Sequence, residues 1–370
     1  MKRSKLVKAD QLAANMMERL PQEVVLHILF RLPLTSLLQS KLVCQAWRSL
    51  IQDPLLISKH FMHMAKADND PSFILKSNWP IPDQLHFIDF AAHSEGKLVS
   101  KKLPNSAMLM YLVDSCNGLL CMHNTSRSIY ICNPFTQIFI ELPEFIKYRA
   151  QVGHLGFGFH PTSKEYKVIQ IVFRRQLRRG NSYVATPTLI QSEVVVNGRL
   201  RWLSKPNKYT MASLLVSFDL ATEQFQEVPE PDCCGLDRCF HHLMVLRGCL
   251  SAVACHDNEQ LDIWVMKKYG TKESWVKQFN IGTYLPRTLK QEDILAFNYS
   301  KRHFPKSFVL VLCILKSGEI LLEYKSRALV VYDSQHGTFK ELTFPEMPNW
   351  FQIIVHVGSL NWLDMPPANF

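Results

Sequence analysis

Asn117–Pro143 reads NGLLCMHNTSRSIYICNPFTQIFIELP, a phrase in which three apolar bursts are separated by turn-forming residues. Leu119-Leu120-Cys121 follows an Asn-Gly pair, Ile129-Tyr130-Ile131-Cys132 runs into Asn133-Pro134-Phe135-Thr136, and the last burst closes at Glu141-Leu142-Pro143. Apolar runs of this length, bounded by Gly, Asn and Pro, predict short strands joined by tight turns. The phrase returns as Asn197-Gly198-Arg199-Leu200-Arg201-Trp202, then Val216-Ser217-Phe218-Asp219-Leu220-Ala221-Thr222 and Val228-Pro229. It returns again as Ser317-Gly318-Glu319-Ile320-Leu321-Leu322, Val330-Val331-Tyr332-Asp333, Thr338 and Phe344-Pro345. A degenerate copy, Arg247-Gly248-Cys249-Leu250-Ser251 with Leu261-Asp262-Ile263-Trp264-Val265-Met266, ends near Trp275. The glycines at 118, 198, 248 and 318 lie 80, 50 and 70 residues apart. Such uneven spacing predicts a propeller whose blades of about 40 to 50 residues differ in loop length.

Upstream the pattern changes. Ser72–Leu75 and Leu85–Phe90 still read as strands, but Asp68-Asn69-Asp70-Pro71 is four turn formers in a row and marks a domain boundary. Before it, Val25, Ile28, Leu29 and Leu32 fall at i, i+3, i+4 and i+7 and predict a helix that opens at Pro21 and closes at Leu32-Pro33. A second short helix is expected from Thr35, capped by Thr35 or Ser36, and a third carries Val43, Trp47, Leu50 and Ile51 up to Pro54. A fourth presents Leu56, His60, Phe61 and Met64. Three helices in so short a stretch have too little core to stand alone, which predicts a partner.

Hydrophobic residues make up 47% of the 370 and charged residues 20%, a globular composition. Net charge is +10, and residues 1–60 hold nine Lys or Arg against four Asp or Glu, a balance that favours acidic partners. A basic recognition helix with base-reading residues is missing, so the sequence argues against nucleic acid. No run of about 18 apolar residues occurs, so no membrane span is predicted. The N-terminus has charge without the apolar core of a secretory signal, so the expected compartment is the cytosol, the nucleus or both.

In that compartment the ten cysteines are expected as free thiols, with Cys44, Cys116, Cys121, Cys132, Cys249 and Cys313 serving as small core residues. Cys233, Cys234, Cys239, His241 and His242 cluster, yet without the second spaced pair of a structural zinc site, so neither metal nor cofactor is expected. Nucleophile elbow, phosphate loop and zinc-protease motifs are all missing, and Gly153, Gly156 and Gly158 have the wrong spacing for a dinucleotide turn and read as a strand turn; no catalytic residue is assigned. Arg174, Arg175, Arg178 and Arg179 fall in a turn between two strands. The plainer reading is a solvated loop and the sharper one a rim for an acidic or phosphorylated target segment.

The helical stretch closely resembles an F-box. Leu20-Pro21, Leu32-Pro33, Ser36-Leu37-Leu38, the run Val43-Cys44-Gln45-Ala46-Trp47-Arg48-Ser49-Leu50-Ile51 and Asp53-Pro54 stand in the order of that motif, while Gln39-Ser40-Lys41 replaces the basic-aromatic-basic triplet more usual in plant members. The resemblance implies docking to a Skp-type adaptor, and through it to a cullin and a RING subunit, by Leu20, Pro21, Val25, Ile28, Leu29, Leu32, Pro33, Leu37, Leu38, Val43, Cys44, Trp47, Arg48, Leu50 and Ile51. Downstream, Asp114-Ser115-Cys116-Asn117-Gly118-Leu119-Leu120, Asn133-Pro134-Phe135-Thr136, Leu155-Gly156-Phe157-Gly158-Phe159-His160-Pro161 and Glu165-Tyr166-Lys167-Val168-Ile169 resemble the F-box-associated domain of plant F-box proteins, a kelch-related β-propeller. His160 stands where the family pattern has Asp, and can still shape that turn.

The expected fold is therefore mainly β with an N-terminal all-α motif. Residues 1–14 form a flexible basic N-terminus, 15–66 the F-box helices, 67–71 a linker, 72–365 the propeller and 366–370 a tail. The implied function is substrate recognition for an SCF-type ubiquitin ligase, the protein target unnamed and the chain itself non-catalytic. The alternative is a binding scaffold that works outside any cullin complex.

Overall fold

The computed structural model describes residues 20–65, 70–94, 97–103, 110–126, 128–143, 153–160, 162–172, 188–196, 199–205, 214–231, 240–256, 260–290 and 309–361. Four helices come first: α1 (Gln22–Leu29), α2 (Leu34–Ser40), α3 (Gln45–Ile51) and α4 (Pro54–Met64). Pro21 and Pro33 precede α1 and α2, their fixed φ near −53° and −52° leading the chain into the helix without a side-chain cap. The expected cap by Thr35 or Ser36 is thus corrected, since both lie inside α2. Real caps open the next two helices: Cys44 Sγ accepts from Trp47 N, and Asp53 Oδ1 accepts from Leu55 N at 2.8 Å.

Strands follow. They are β1 (Ser72–Trp79), β2 (Leu85–Ser94), β3 (Lys97–Lys102), β4 (Met110–Cys116), β5 (Leu119–Asn124), β6 (Ile129–Asn133) and β7 (Ile138–Glu141). Next are β8 (Gly153–His160), β9 (Glu165–Val172), β10 (Thr188–Val196), β11 (Arg199–Lys205), β12 (Leu214–Asp219), β13 (Phe225–Val228) and β14 (Phe240–Leu246). The last are β15 (Cys249–Cys255), β16 (Leu261–Met266), β17 (Trp275–Ile281), β18 (Val309–Ile314), β19 (Ile320–Tyr324), β20 (Ala328–Asp333), β21 (Thr338–Leu342) and β22 (Trp350–Val355). Among the described residues five sheets are four-stranded and antiparallel, β22-β1-β2-β3, β4–β7, β10–β13, β14–β17 and β18–β21, and β8 and β9 pair as a two-stranded ribbon.

Apolar clusters join each sheet to the next. Phe73 and Phe351 meet Leu321 and Leu329, Ile74 and Phe87 meet Leu120 and Met122, and Leu119 and Ile131 meet Phe157 of the ribbon. Ile169 of β9 packs on Leu200 and Trp202, Leu215 and Val228 on Leu243 and Leu250, and Val253 and Ile263 on Leu322 and Val330. The chain of contacts returns to its start, so the six sheets form a closed ring. The first strands β4, β8, β10, β14 and β18 are innermost, and β22 takes that place in the first sheet. A strand from the far end of the chain thereby closes the ring, registering Phe73 to Val355 and Leu75 to Ile353.

The repeated phrase is the outer three strands of a blade. Its Asn or Asp ends the third strand and turns the chain with its side chain: Asn133 Oδ1 accepts from Phe135 N and Thr136 N at 2.8 and 3.2 Å. Asp219 Oδ1 takes Ala221 N and Thr222 N, and Asp333 Oδ1 takes Gln335 N and His336 N, so three blades share one turn chemistry. His160, in the variant position, also shapes its turn, with Ser163 N donating to Nδ1 at 3.0 Å. Gly156 and Gly158 sit within β8 rather than in a turn, paired with Ile169 and Lys167.

The inner strands carry bulges that break their pairing with the second strand, at Leu112/Asp114, Phe240/His242 and Val311/Cys313. Side chains from neighbouring inner strands take up N–H groups there. Leu112 N donates to Gln352 Oε1 at 3.3 Å, and Val311 N donates to His242 Nε2 at 3.0 Å. These bonds tie blade to blade around the axis.

Candidate docking face

Val25, Ile28, Leu29 and Leu32 are expected on one stripe, but the structure divides them. Val25 and Leu29 are buried, whereas Val24 and Ile28 are 42% and 43% exposed and Leu20, one turn earlier, is also exposed. The buried pair joins Leu34, Leu37, Ile51, Leu56 and Ile57 in one small core. Val25, Leu29, Leu37 and Ile51, four of the fifteen residues that the motif implies for docking, therefore pack into this core in the free chain. Leu32, Leu38, Cys44, Trp47 and Leu50 are half-buried at its margin, and Pro21, Pro33, Val43 and Arg48 are exposed. The exposed set also holds apolar residues that motif matching passed over: Val24, Leu42 at 79%, Leu55 at 69% and Met62; Val43 itself is 58% exposed. The available signal was the surplus of apolar residues in α1 beyond a core-facing stripe.

Polar groups hold this face in shape. His60 of α4 is buried and donates from Nε2 to the Leu32 carbonyl at 3.0 Å, pinning the turn between α1 and α2. Burial pushes its imidazole down to about 4, the carbonyl bond opposing in part, so it is neutral in the fold. Arg48 Nε donates to the Lys41 carbonyl at 3.3 Å, closing α3 back on the end of α2. Phe30 stacks edge-on against His27 and His63, with the Arg31 guanidinium 5.2 Å from its ring centre.

The rest of the small core comes from the other end of the chain. Leu360 is buried among the helix residues, and Phe135, from the Asn133 turn, packs on the same cluster. The strap 356–361 that carries Leu360 runs between helices and sheets. Asn133 Nδ2 donates to the carbonyls of Ser359 and Asn361 at 2.9 and 2.8 Å, and Asn361 Nδ2 donates to the Asn117 carbonyl at 3.2 Å. At its start His356 N donates to the Ser72 carbonyl at 2.8 Å, and His356 Nδ1 lies 2.8 Å from Ser115 Oγ. From that point β1 runs away from the helices to a far rim, where Trp79 and Ile81 are exposed.

Asp262 accepts from Asn280 Nδ2 at 2.6 Å and Lys277 Nζ at 3.0 Å, with His256 Nε2 at 2.9 Å, so its carboxylate is already saturated within the β15–β17 sheet. Among the described residues no three His, Cys, Asp or Glu are grouped to hold a metal ion. Seven cysteines are described and all are free, Cys121, Cys132 and Cys313 being buried. Arg174, Arg175, Arg178 and Arg179, the cysteines at 233, 234 and 239, the Asn197-Gly198 turn and the two expected tails lie outside the described residues.

Comparison with known proteins decides the family. A model described as "F-box associated beta propeller domain" matches residues 72–360, and an "F-box-like" model matches residues 17–63. The chain belongs to the F-box proteins with an F-box-associated propeller. "F-box protein At3g07870" of Arabidopsis thaliana is 39% identical over 95% of this chain and 93% of its own length. From the same plant, "F-box/kelch-repeat protein At3g23880" is 27% identical over 86% and 89%, and "F-box protein CPR1" 23% identical over 93% and 89%. Among solved structures, "YCF48 from Cyanidioschyzon merolae" covers 78% of this chain and 96% of its own at 6% identity, with a TM-score of 0.39. No helix among the described residues of this F-box protein is long and apolar enough to cross a membrane.

Proposed function

We propose that this F-box protein is a substrate-recognition subunit of an SCF-type ubiquitin ligase, joined to a Skp-type adaptor by its helices and to a protein target by its propeller. The observation that carries the reading is the outward apolar set Leu20, Val24, Ile28, Leu42, Val43 and Leu55, on helices and turns whose inner core is already complete. Apolar side chains left in water after the core is filled mark a protein interface. Docking of this kind needs no reacting group; the chain supplies proximity and the charged ligase the chemistry.

The target would meet the propeller, with residues 15–66 as the handle and 72–365 as the recognition body, in the cytosol, the nucleus or both. Exposed Trp79 and Ile81 at the far rim are of the type that anchors protein interfaces. Arg174, Arg175, Arg178 and Arg179 are proposed as a rim for an acidic or phosphorylated segment; charge reversal should abolish target capture, and unchanged capture removes the idea. Co-purification tests the main reading. Recovery of adaptor and cullin together is expected; absence of the cullin, with or without the adaptor, overturns the ligase reading and leaves the scaffold one.

A further inference from the structure

Among the described residues, the segment after β22 packs on both the helices and the propeller. We infer that the C-terminal strap 356–361 is the positioning element that fixes the docking face relative to the recognition body. This rests on the proposed ligase role only for its purpose; the coupling itself stands on the contacts.

Three features separate the strap from a passive tail. It enters both cores at once, because Leu360 is buried in the helical cluster while Gly358 lies against Phe87 of the first sheet. It is also threaded where nothing larger fits. A Cβ on Gly358 would come within 2.6 Å of Leu34 Cδ2 on α2 and 3.2 Å of Phe87 Cζ, so backbone fills the gap between helix and sheet. A Cβ on Gly118 would collide with Ser359 Cβ, so the strap lies pressed onto the β4–β5 turn from the other side.

The strap is pinned as well as wedged. Its carbonyls at 359 and 361 are both held by Asn133 Nδ2, the side chain whose Oδ1 shapes the turn presenting Phe135 to the helices. Helix core, strap and turn are therefore coupled through Asn133. Because β22 closes the ring and leads straight into the strap, the orientation of the handle is tied to closure of the propeller. Packed elements of this kind hold discrete arrangements and do not deform continuously.

The test uses full-length protein with spin-labelled unnatural residues at exposed Lys59 on α4 and Lys340 on β21, and reads the distance distribution by electron–electron resonance. Parent protein should give one narrow distance. Leu360→Ala and Gly358→Ala should each broaden it at least twofold, while inserting four Gly/Ser residues between Lys66 and Asn69 leaves it narrow. Unchanged widths in both strap variants, or broadening by the insertion alone, overturn the inference. Circular dichroism melting confirms that each variant is folded, and Gly358→Ala decides if Leu360→Ala is not. Binding of a purified Skp-type adaptor is measured on the same samples. No binding by the parent sinks the ligase reading without touching the distance result.

Discussion

Truncating Val24 and Ile28 together should weaken adaptor binding without weakening the fold. Full burial of a Val or Ile side chain is worth about 1.5–3 kcal/mol. With 42% and 43% of these two still exposed, covering them recovers about 0.6–1.3 kcal/mol each. The double variant Val24→Ala/Ile28→Ala should therefore lose about 1.2–2.6 kcal/mol, a rise in Kd of roughly 8- to 80-fold. Calorimetric titration with a purified Skp-type adaptor reads this directly. Leu29→Ala, one residue away and fully buried, is the control: it should cost about 2–5 kcal/mol of stability by leaving a cavity. The two surfaces thus have opposite signatures. A double variant that binds within twofold of the parent while melting at the parent's temperature would refute the assignment of this face.

Three further outcomes follow from buried groups. Burial raises Glu323 to about 7 from 4.5, so the fold holds its proton more tightly than the unfolded chain; stability is greatest below about 4.5 and is lost as pH rises through 7. Glu323→Gln keeps an acceptor for Ser326 N and should stabilise the protein by roughly 3 kcal/mol at pH 8 in urea titrations; no gain would show that the carboxylate is better solvated than its burial implies. His60 and His356 run the other way, pushed down to about 4 and about 3 from 6.5 by burial, so their contribution is full above 6.5 and lost as pH falls, by about 3 kcal/mol each at pH 4. His60→Gln, able to donate to Leu32 without titrating, should flatten the slope of stability between pH 6.5 and 4, and an unaltered slope would contradict the assignment. Gly118→Ala, at φ +80° with its Cβ against Ser359, should cost at least about 2 kcal/mol; Gly248→Ala, at φ +75° with open space around it, should cost about 1 kcal/mol, and equal melting temperatures would refute the wedge.

Much of this architecture is written locally. Asn133, Asp219 and Asp333 announce their turns because a short polar side chain closing on the next N–H groups needs no tertiary contact to act. The apolar phases of α1 and α4 are likewise local. What escaped the sequence depends on distant partners. The first strand of each blade precedes the Gly turn and carries no shared marker, since its bulges are satisfied by neighbours such as Gln352 and His242. The ribbon β8–β9 is hidden inside the 80-residue gap between Gly118 and Gly198, and β22 pairs with β1 across nearly the whole chain. Burial of Val25 and Leu29 beside exposed Val24 and Ile28 could not be told from periodicity, because all four are equally apolar.

The smallness of the helical motif has two separate remedies, and the division between them carries the functional argument. A core of so few residues must recruit apolar surface from outside the motif. On the inner side that surface is intramolecular, Leu360 and Phe135 filling the space beside Leu34 and Leu37. Were the outer side equally satisfied, α1 and the α2–α3 turn would show polar residues to water; instead they show Val24, Ile28, Leu42 and Val43. The inner contacts cannot be exchanged for a partner without breaking the Asn133 bonds to the strap, whereas the outer face can be covered with none of these bonds broken. Residues 20–65 are therefore held on the inner side by the propeller's own C-terminal strap, and the proposed adaptor would cover the outer side. Deleting the strap should expose the inner face as well, and truncation after Val355 is expected to turn the helices protease-sensitive while adaptor added in excess restores only part of their protection. Full protection by adaptor alone would show that the helices need no support from the propeller.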